Sequence, residues 1–324
     1  MTKRPQLPRH AVGATAQHGV SLIELMVSLA IGLVLVIALS ALFVGSSTLR
    51  REVELSAEVI ENGRYGLDLL GRELSQAGFY GPLTLPTGST AAPCSTTLSE
   101  WADSLSIPVI GVNNAAAGPG CIARKPDTDA IFIQRASTCR VGEAGCEAEN
   151  AGNAYLQVSE CGTEYSAKPF VVGVGGDAAT FALQTKACDG THAAKRKLVR
   201  RLFYVSPTNV LSSVDITLAG ASAPVALVDN IEQMQLEYAI DDNADGTPDA
   251  FSSTPADWTQ VIGARLWLLA RSTGASANTR NAMDFALGDL PPSSVSVLAA
   301  GTNPKRRVYS TYIPFVTPKL RRES

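Results

Sequence analysis

Histidine is nearly absent from this chain: three occur in 324 residues, and two of them, His10 and His18, precede the main apolar segment, leaving His192 alone beyond it. No G-x-S-x-G, H-E-x-x-H or C-x-x-C occurs anywhere. Those gaps exclude nucleophile-elbow hydrolases, zincins, zinc ribbons and thioredoxin-type redox centres. Cys188 and His192 make a lone C-x3-H, which reads as incidental spacing rather than a metal pair. The stretch GVGGD at 173–177 lacks both the lysine of a phosphate loop and the spacing of a dinucleotide fingerprint, so it reads as a turn. Charge is scarce as well, at 18% of residues against 45% apolar, a balance that is globular rather than disordered.

Two further absences define the first eighty residues. No charged residue lies between Leu25 and Gly45, a run of 21, and no proline interrupts residues 9–81. As a helix the uncharged run spans about 30 Å, the thickness of a bilayer's hydrocarbon core. Lys3, Arg4, Arg9, His10 and His18 precede it, a basic flank that stays on the cytosolic side. A secretory signal would place its small-residue cleavage site after the apolar run, where this chain reads GSSTLRREVEL. Glu24 sits near the start of the segment at 20–44. A carboxylate at the centre of a membrane helix costs about 2.5 to 3.5 kcal/mol, less near its edge, so it calls for a partner.

Gly19, followed by Val20, Ser21, Leu22, Ile23, Glu24, Leu25, Met26 and Val27, resembles the class III signal of type IV prepilins and pseudopilins. The resemblance implies that a prepilin peptidase cuts between Gly19 and Val20, methylates the new N-terminus, and leaves Glu24 in the mature chain. Two features depart from the family's pattern: the first mature residue is Val20 where Phe is usual, and the 19-residue leader is longer than many. In a helical filament Glu24 of one subunit would neutralise the free amino group of Val20 on a neighbour. The plainer alternative is a single-pass anchor whose Glu24 reaches the interface, with Ser21 and Glu24 as a capping box.

Beyond the membrane segment the positions Leu49, Val53, Ser56, Ile60, Gly63, Leu67, Leu70, Leu74 and Ala77 step by four and three. This row predicts an amphipathic helix over 46–78, continuous with 20–45, with Gly45 to Ser47 as its weak point and Gly78 to Pro82 as its stop. A coiled-coil seam is the alternative to packing on a sheet, and Ser56 and Gly63 interrupt it. ENGRYGLDLLGRELSQAGFYG, residues 61–81, is similar to the corresponding helix of PilW-type minor pilins. That implies the pilin fold: an α+β protein whose long N-terminal helix packs on an antiparallel β-sheet head with loop insertions.

All six cysteines, Cys94, Cys121, Cys139, Cys146, Cys161 and Cys188, lie in the head at 79–324 and suit an oxidising periplasm or cell surface. They allow 15 pairings, and sequence does not choose among them, neighbour with neighbour being one guess. Residues 82–128 read as a surface excursion stapled by Cys94 and Cys121, with turns at 115–120, and 138–165 as bridged loops. Strands are expected at 130–135, 170–174, 197–205, 234–240, 261–270 and 307–316, with 234–240 half-buried by its alternation.

Removing the leader turns 27 basic against 30 acidic residues into 24 against 30, a net charge of −6 that argues against general nucleic-acid binding. One basic cluster, His192, Lys195, Arg196, Lys197, Arg200 and Arg201 beside Phe203 and Tyr204, reads as a solvated strand face, with DNA backbone or an acidic partner as the alternative. Asp241, Asn243 and Asp245, with Gly246, the Thr247 carbonyl and Asp249, repeat the D-x-N-x-D-G order of a calcium loop. Structural calcium is therefore the one cofactor expected, although Ser252 stands where an EF-hand has Glu.

Taken together, these features predict a non-enzymatic minor pilin of a type IV pilus. It is inserted in the inner membrane with its head in the periplasm, then carried to the pilus tip. Its partners are the prepilin peptidase, other minor pilins, the major pilin and the inner-membrane assembly platform. The rival readings are a minor pseudopilin of type II secretion and a membrane-anchored periplasmic enzyme or receptor.

Overall fold

The computed structural model describes residues 19–84, 93–114, 119–276, 285–290 and 303–322, so the leader to residue 18 and residues 115–118 of the turns expected at 115–120 lie outside the described residues. The chain divides into two units, Met1–Val53 and Glu54–Ser324. Helix α1, Leu22–Ser75, supplies most of the first unit and enters the second. Its apolar side chains from Val20 to Val44 are all exposed, between 52% and 79%. The expected weak point at Gly45 to Ser47 stays helical. There Ser47 Oγ and Thr48 Oγ1 donate to the Val44 carbonyl at 2.9 and 3.0 Å, satisfying both hydroxyls within the helix.

In the second unit α1 buries Leu55, Val59, Gly63, Gly66, Leu70 and Leu74, and Ala77 continues the stripe past its end. This row agrees with the expected one from Gly63 onward but diverges before it. Leu49 and Val53 are 66% and 60% exposed, while Leu55 and Val59 take the dry side. The cause is geometric: the row read from sequence repeats every 3.5 residues, and on a straight helix of 3.6 it drifts by about 20° per heptad.

Two antiparallel sheets follow. The first contains β1 (Val109–Val112), β2 (Ala130–Ala136), β3 (Ala154–Val158), β4 (Phe170–Val174), β5 (Lys195–Val205), β6 (Leu211–Thr217), β7 (Gly220–Ala221) and β8 (Val225–Val228). Its path is β1-β2-β5-β3-β4, with β6 on β5 and β7 and β8 on β6. The second contains β9 (Ile231–Ile240), β10 (Ala250–Ser252), β11 (Val261–Ala275) and β12 (Pro304–Pro314) in the order β10-β9-β11-β12. Short helices α2 (Leu98–Asp103), α3 (Gly162–Tyr165) and α4 (Val316–Arg322) lie in the connections and at the end. This is an α+β, pilin-like architecture.

The α1 stripe shares one core with both sheets. Ile131, Ile133, Phe203 and Val205 come from the first, and Met234, Leu236, Leu266, Leu268 and Ile313 from the second. A second core covers the reverse face of the first sheet, where Phe132, Leu156, Leu202 and Tyr204 meet Tyr80, Leu83, Trp101 and Leu105. Residues 82–128 are thus not a surface excursion: they supply α2, β1 and a Trp101 that is 1% exposed. Likewise 138–165 holds the wholly buried β3. Strand β9 is buried on both faces, not half-buried, because its polar side chains find partners. Gln235 Nε2 donates to Asn114 Oδ1 at 2.9 Å, and Gln233 Nε2 to the Asp127 carbonyl at 2.8 Å.

The cysteines pair Cys94 with Cys121, Cys139 with Cys146 and Cys161 with Cys188, at Cα separations of 5.9, 5.6 and 5.2 Å, ordinary disulfide spacings. Cys188 is thereby unavailable as a metal ligand beside His192. Thiol titration of the denatured, unreduced protein should find no free cysteine.

Gly63 and Gly71 stand eight residues apart on α1 and predict opposite results. A β-carbon at Gly63 would overlap the Tyr309 ring, whereas one at Gly71 meets nothing within 4 Å. Gly63→Ala should destabilise by about 1 to 3 kcal/mol through overpacking. Gly71→Ala should stabilise by up to about 1 kcal/mol through helix propensity. Denaturant unfolding of the detergent-solubilised chain measures both.

Candidate functional site

The N-terminal residues that carry the processing and assembly expectations are all accessible. Gly19, Val20 and Glu24 are exposed, and nothing lies within 4 Å of where a Gly19 β-carbon would be. Regular helix starts three residues after Gly19, so the Gly19–Val20 peptide lies in non-helical chain of the kind a peptidase can engage. The Leu25 N–H donates to the Ser21 carbonyl, which closes the first turn. Among the described residues no cation pairs with Glu24. Its carbonyl accepts from Ser28 Oγ at 2.6 Å, and its carboxylate faces outward from an apolar helix long enough to cross a membrane.

The lysines and arginines of the basic cluster are engaged within the head, while His192 is exposed. Lys195 Nζ meets Glu149 at 2.6 Å, and Lys197 Nζ meets Glu147 at 3.0 Å. Arg201 bonds Asp215 at 2.5 Å and lies 3.4 Å from Glu73 on α1, so its guanidinium is held above the usual range. Arg196 donates to the Ser137 and Thr138 carbonyls and stacks over Phe79. Arg200 is buried between the rings of Trp101 and Phe132, 4.6 and 4.9 Å from their centroids, and burial lowers its pKa to about 10. The cations hold β5 to its neighbours. Sequence could not show this because the carboxylates come from 73, 147, 149 and 215, on other elements.

The acidic loop after β9 is closed by its own hydrogen bonds. The buried Asp241 carboxylate accepts from the backbone N–H groups of Ala244, Asp245 and Gly246 at 2.7, 3.2 and 3.0 Å. Asp249 accepts from the Asp242 N–H and from Asn243 Nδ2, and Asp245 accepts from Thr247. The neighbouring Asp249 also pushes the Asp242 carboxyl above its ordinary range. Among the described residues no group of three or more His, Cys, Asp or Glu side chains is placed to hold a metal ion. The expectation of calcium at Asp241, Asn243, Asp245, Thr247 and Asp249 is therefore unsupported; these oxygens serve the turn.

A group that sequence reading missed is Asp129, at the entry to β2. Its N–H donates to the Met234 carbonyl, while its carboxylate accepts from Leu236 N at 2.7 Å and Asn114 N at 2.9 Å. One residue thus ties the first sheet to β9. Burial, aided by the charge of Asp289 and opposed by these bonds and Arg124, raises its pKa to about 7. No spacing in TDAIFIQR announces this role, because both acceptor sites are filled by distant backbone.

With this geometry established, comparison with known families is informative. The model of the prokaryotic N-terminal methylation motif matches residues 15–40, which contain Gly19 and Glu24. The model described as type IV pilus-assembly protein W matches residues 181–316, which take in both sheets from β5 to β12. No curated protein and no solved structure matches the chain. The two family matches, with an exposed apolar N-terminal helix joined to an α+β head, support a type IV pilus-related pilin. Within that class the stretch at 181–316 is PilW-like.

Asp129 gives the head a pH signature. A carboxyl whose folded pKa stands above its unfolded value contributes stability in full below the unfolded pKa, near 3.8, and loses it as pH rises to about 7. The loss is up to about 4 kcal/mol. Asp129→Asn should flatten that slope, while costing stability at pH 4 because an amide nitrogen cannot accept from a backbone N–H. Unfolding midpoints of both proteins between pH 4 and pH 8 measure it.

Proposed function

We propose that this protein is a minor pilin that is inserted in the inner membrane with its head in the periplasm, cut between Gly19 and Val20 by a prepilin peptidase, and methylated. It is then built with other minor pilins into a complex that primes a type IV pilus and remains at its tip. The observation that supports this best is the methylation motif on a helix whose apolar side chains from Val20 to Val44 stand exposed among the described residues. Such a surface is satisfied first by lipid and then by the helices of neighbouring subunits. Within that packing Glu24 pairs with a neighbour's Val20 amino group and sets the register of assembly. The mature chain then comprises the membrane and filament-core helix at 20–45, the amphipathic helix at 46–78 and the head at 79–324. The match to the PilW model favours a pilus over a type II secretion system, and the inner-membrane assembly platform and the major pilin are the partners this role requires.

Processing and assembly are separable. Gly19→Ala places a β-carbon where the peptidase expects none, and full-length precursor should accumulate; mass spectrometry of the wild-type protein should find Val20 at the mature N-terminus. Any other mature N-terminus overturns the processing assignment. Glu24→Ala makes the helix more apolar, so the variant should insert and be cleaved normally yet leave few surface pili. Normal piliation of that variant would refute the pairing.

A further inference from the structure

Strand β12 is an outer strand of its sheet: from Pro304 to Pro314 it pairs with β11 and with no other strand among the described residues. A strand used on one side only leaves every second N–H and C=O directed outward, a template for another chain. Here that template is eleven residues long. Beside it runs a groove of about 530 Å3 between β12 and α1, lined by Arg64, Leu67, Asp68, Gly71, Arg72 and Ser75 on the helix and residues 310–314 on the strand, with Asp68 and Arg72 neutralising each other at 2.9 Å. Gly71 keeps the helix side of the groove open.

Three groups at one end of this groove have unused capacity. Tyr309 packs against Gly63, and its hydroxyl is buried with no hydrogen-bond partner. The Arg307 guanidinium lies 5.5 Å from the centre of that ring, and Arg64, the neighbour of Gly63 on α1, acts electrostatically on the same tyrosine. Adjacent Arg306 is neutralised by Glu232 at 2.6 Å, but Arg64 and Arg307 have no ion-pair partner among the described residues. Two cations and an orphan hydroxyl converge where a free backbone edge meets a groove.

We propose that the free edge of β12 accepts an extended acidic strand from a different subunit, adding a fifth strand to this sheet and seating a carboxylate between Arg64 and Arg307. Backbone pairing along the edge supplies affinity, and alternate side chains supply selectivity. Those on the α1 side meet the two arginines and then Leu67, so the fitting strand carries an acid followed two residues on by an apolar side chain. A second copy of the chain does not fit. Its own β12 carries Lys305, Arg306 and Arg307 and no carboxylate to offer, and its acidic loop adjoins β10, which offers only three residues of edge. The inference concerns the chemistry of one neighbour and stands whether or not the protein primes pilus assembly.

The test uses the full chain in detergent micelles and two end-blocked synthetic peptides of eight residues, one alternating Glu with Val and Thr, the other with Lys in place of Glu. The acidic peptide should slow amide exchange at alternate residues of β12 and bind at least about tenfold more tightly than the basic one. Arg64→Glu with Arg307→Glu should invert the preference. Should that double variant unfold, as judged by its melting midpoint, Arg64→Gln should still narrow it. Equal binding of the two peptides, or an unchanged preference in the variants, overturns the proposal. So does β12 protection that is present without peptide and grows with protein concentration, which would make a second copy the occupant.

Discussion

One stripe on α1 carries the head. Val59, Leu70 and Leu74, with Gly63 and Gly66 between them, are the helix residues on which the inner faces of both sheets close. Each large side chain buried there contributes about 1.5 to 3 kcal/mol relative to exposure. The glycines set how near the sheets come. At Gly63 the Tyr309 ring occupies the space of a side chain, and at Gly66 Leu268 does. Without the helix, the apolar inner faces of β9, β11 and β5 would stand in water, and the Asp129 tie would be among the few links between the sheets.

The polar interior follows from that layering. Strand β5 lies between two cores, so its basic residues cannot all reach bulk solvent, and each is neutralised, hydrogen-bonded or stacked on an aromatic ring instead. Arg200 is the extreme case: its charge is retained between Trp101 and Phe132, where cation–π attraction offsets part of the desolvation. Arg306 and Glu232, both almost buried, form a two-pronged pair on the second sheet. Removing one partner of such a pair costs more than the pair contributes, because it strands a buried charge. These contacts specify which strands lie together.

The first unit obeys a different rule. Its apolar residues from Val20 to Val44 stand exposed among the described residues, and the hydroxyls of Ser28, Ser40, Ser47 and Thr48 bond back to helix carbonyls. A helix so self-satisfied in its backbone and so apolar on every side is suited to lipid and to other helices of its kind. The head, by contrast, has its own cores and three disulfides. Anchoring and the folding of the head are thus divided between two stretches of one chain.

Local pattern determined the elements that depend on local pattern. The 21-residue uncharged run, the Gly19 and Glu24 spacing, the long helix, the strand Phe170–Val174 and the 261–270 part of Val261–Ala275 were readable because bilayer thickness, helix periodicity and β-branched content act on neighbouring residues. Tertiary structure alone decided the rest. Residues 82–128 look like loop by their Pro, Gly and Ser content, yet Trp101 and Leu105 enter a core because the reverse face of the first sheet needs a cover. The basic run of β5 looks like a surface because its carboxylates lie far away in sequence, and the D-x-N-x-D-G loop looks like a cation site until its oxygens are seen to accept its own N–H groups. The disulfide pairing and the Asp129 tie belong to the same class. Their energies depend on which distant groups meet, and that is settled only when the two sheets close on α1.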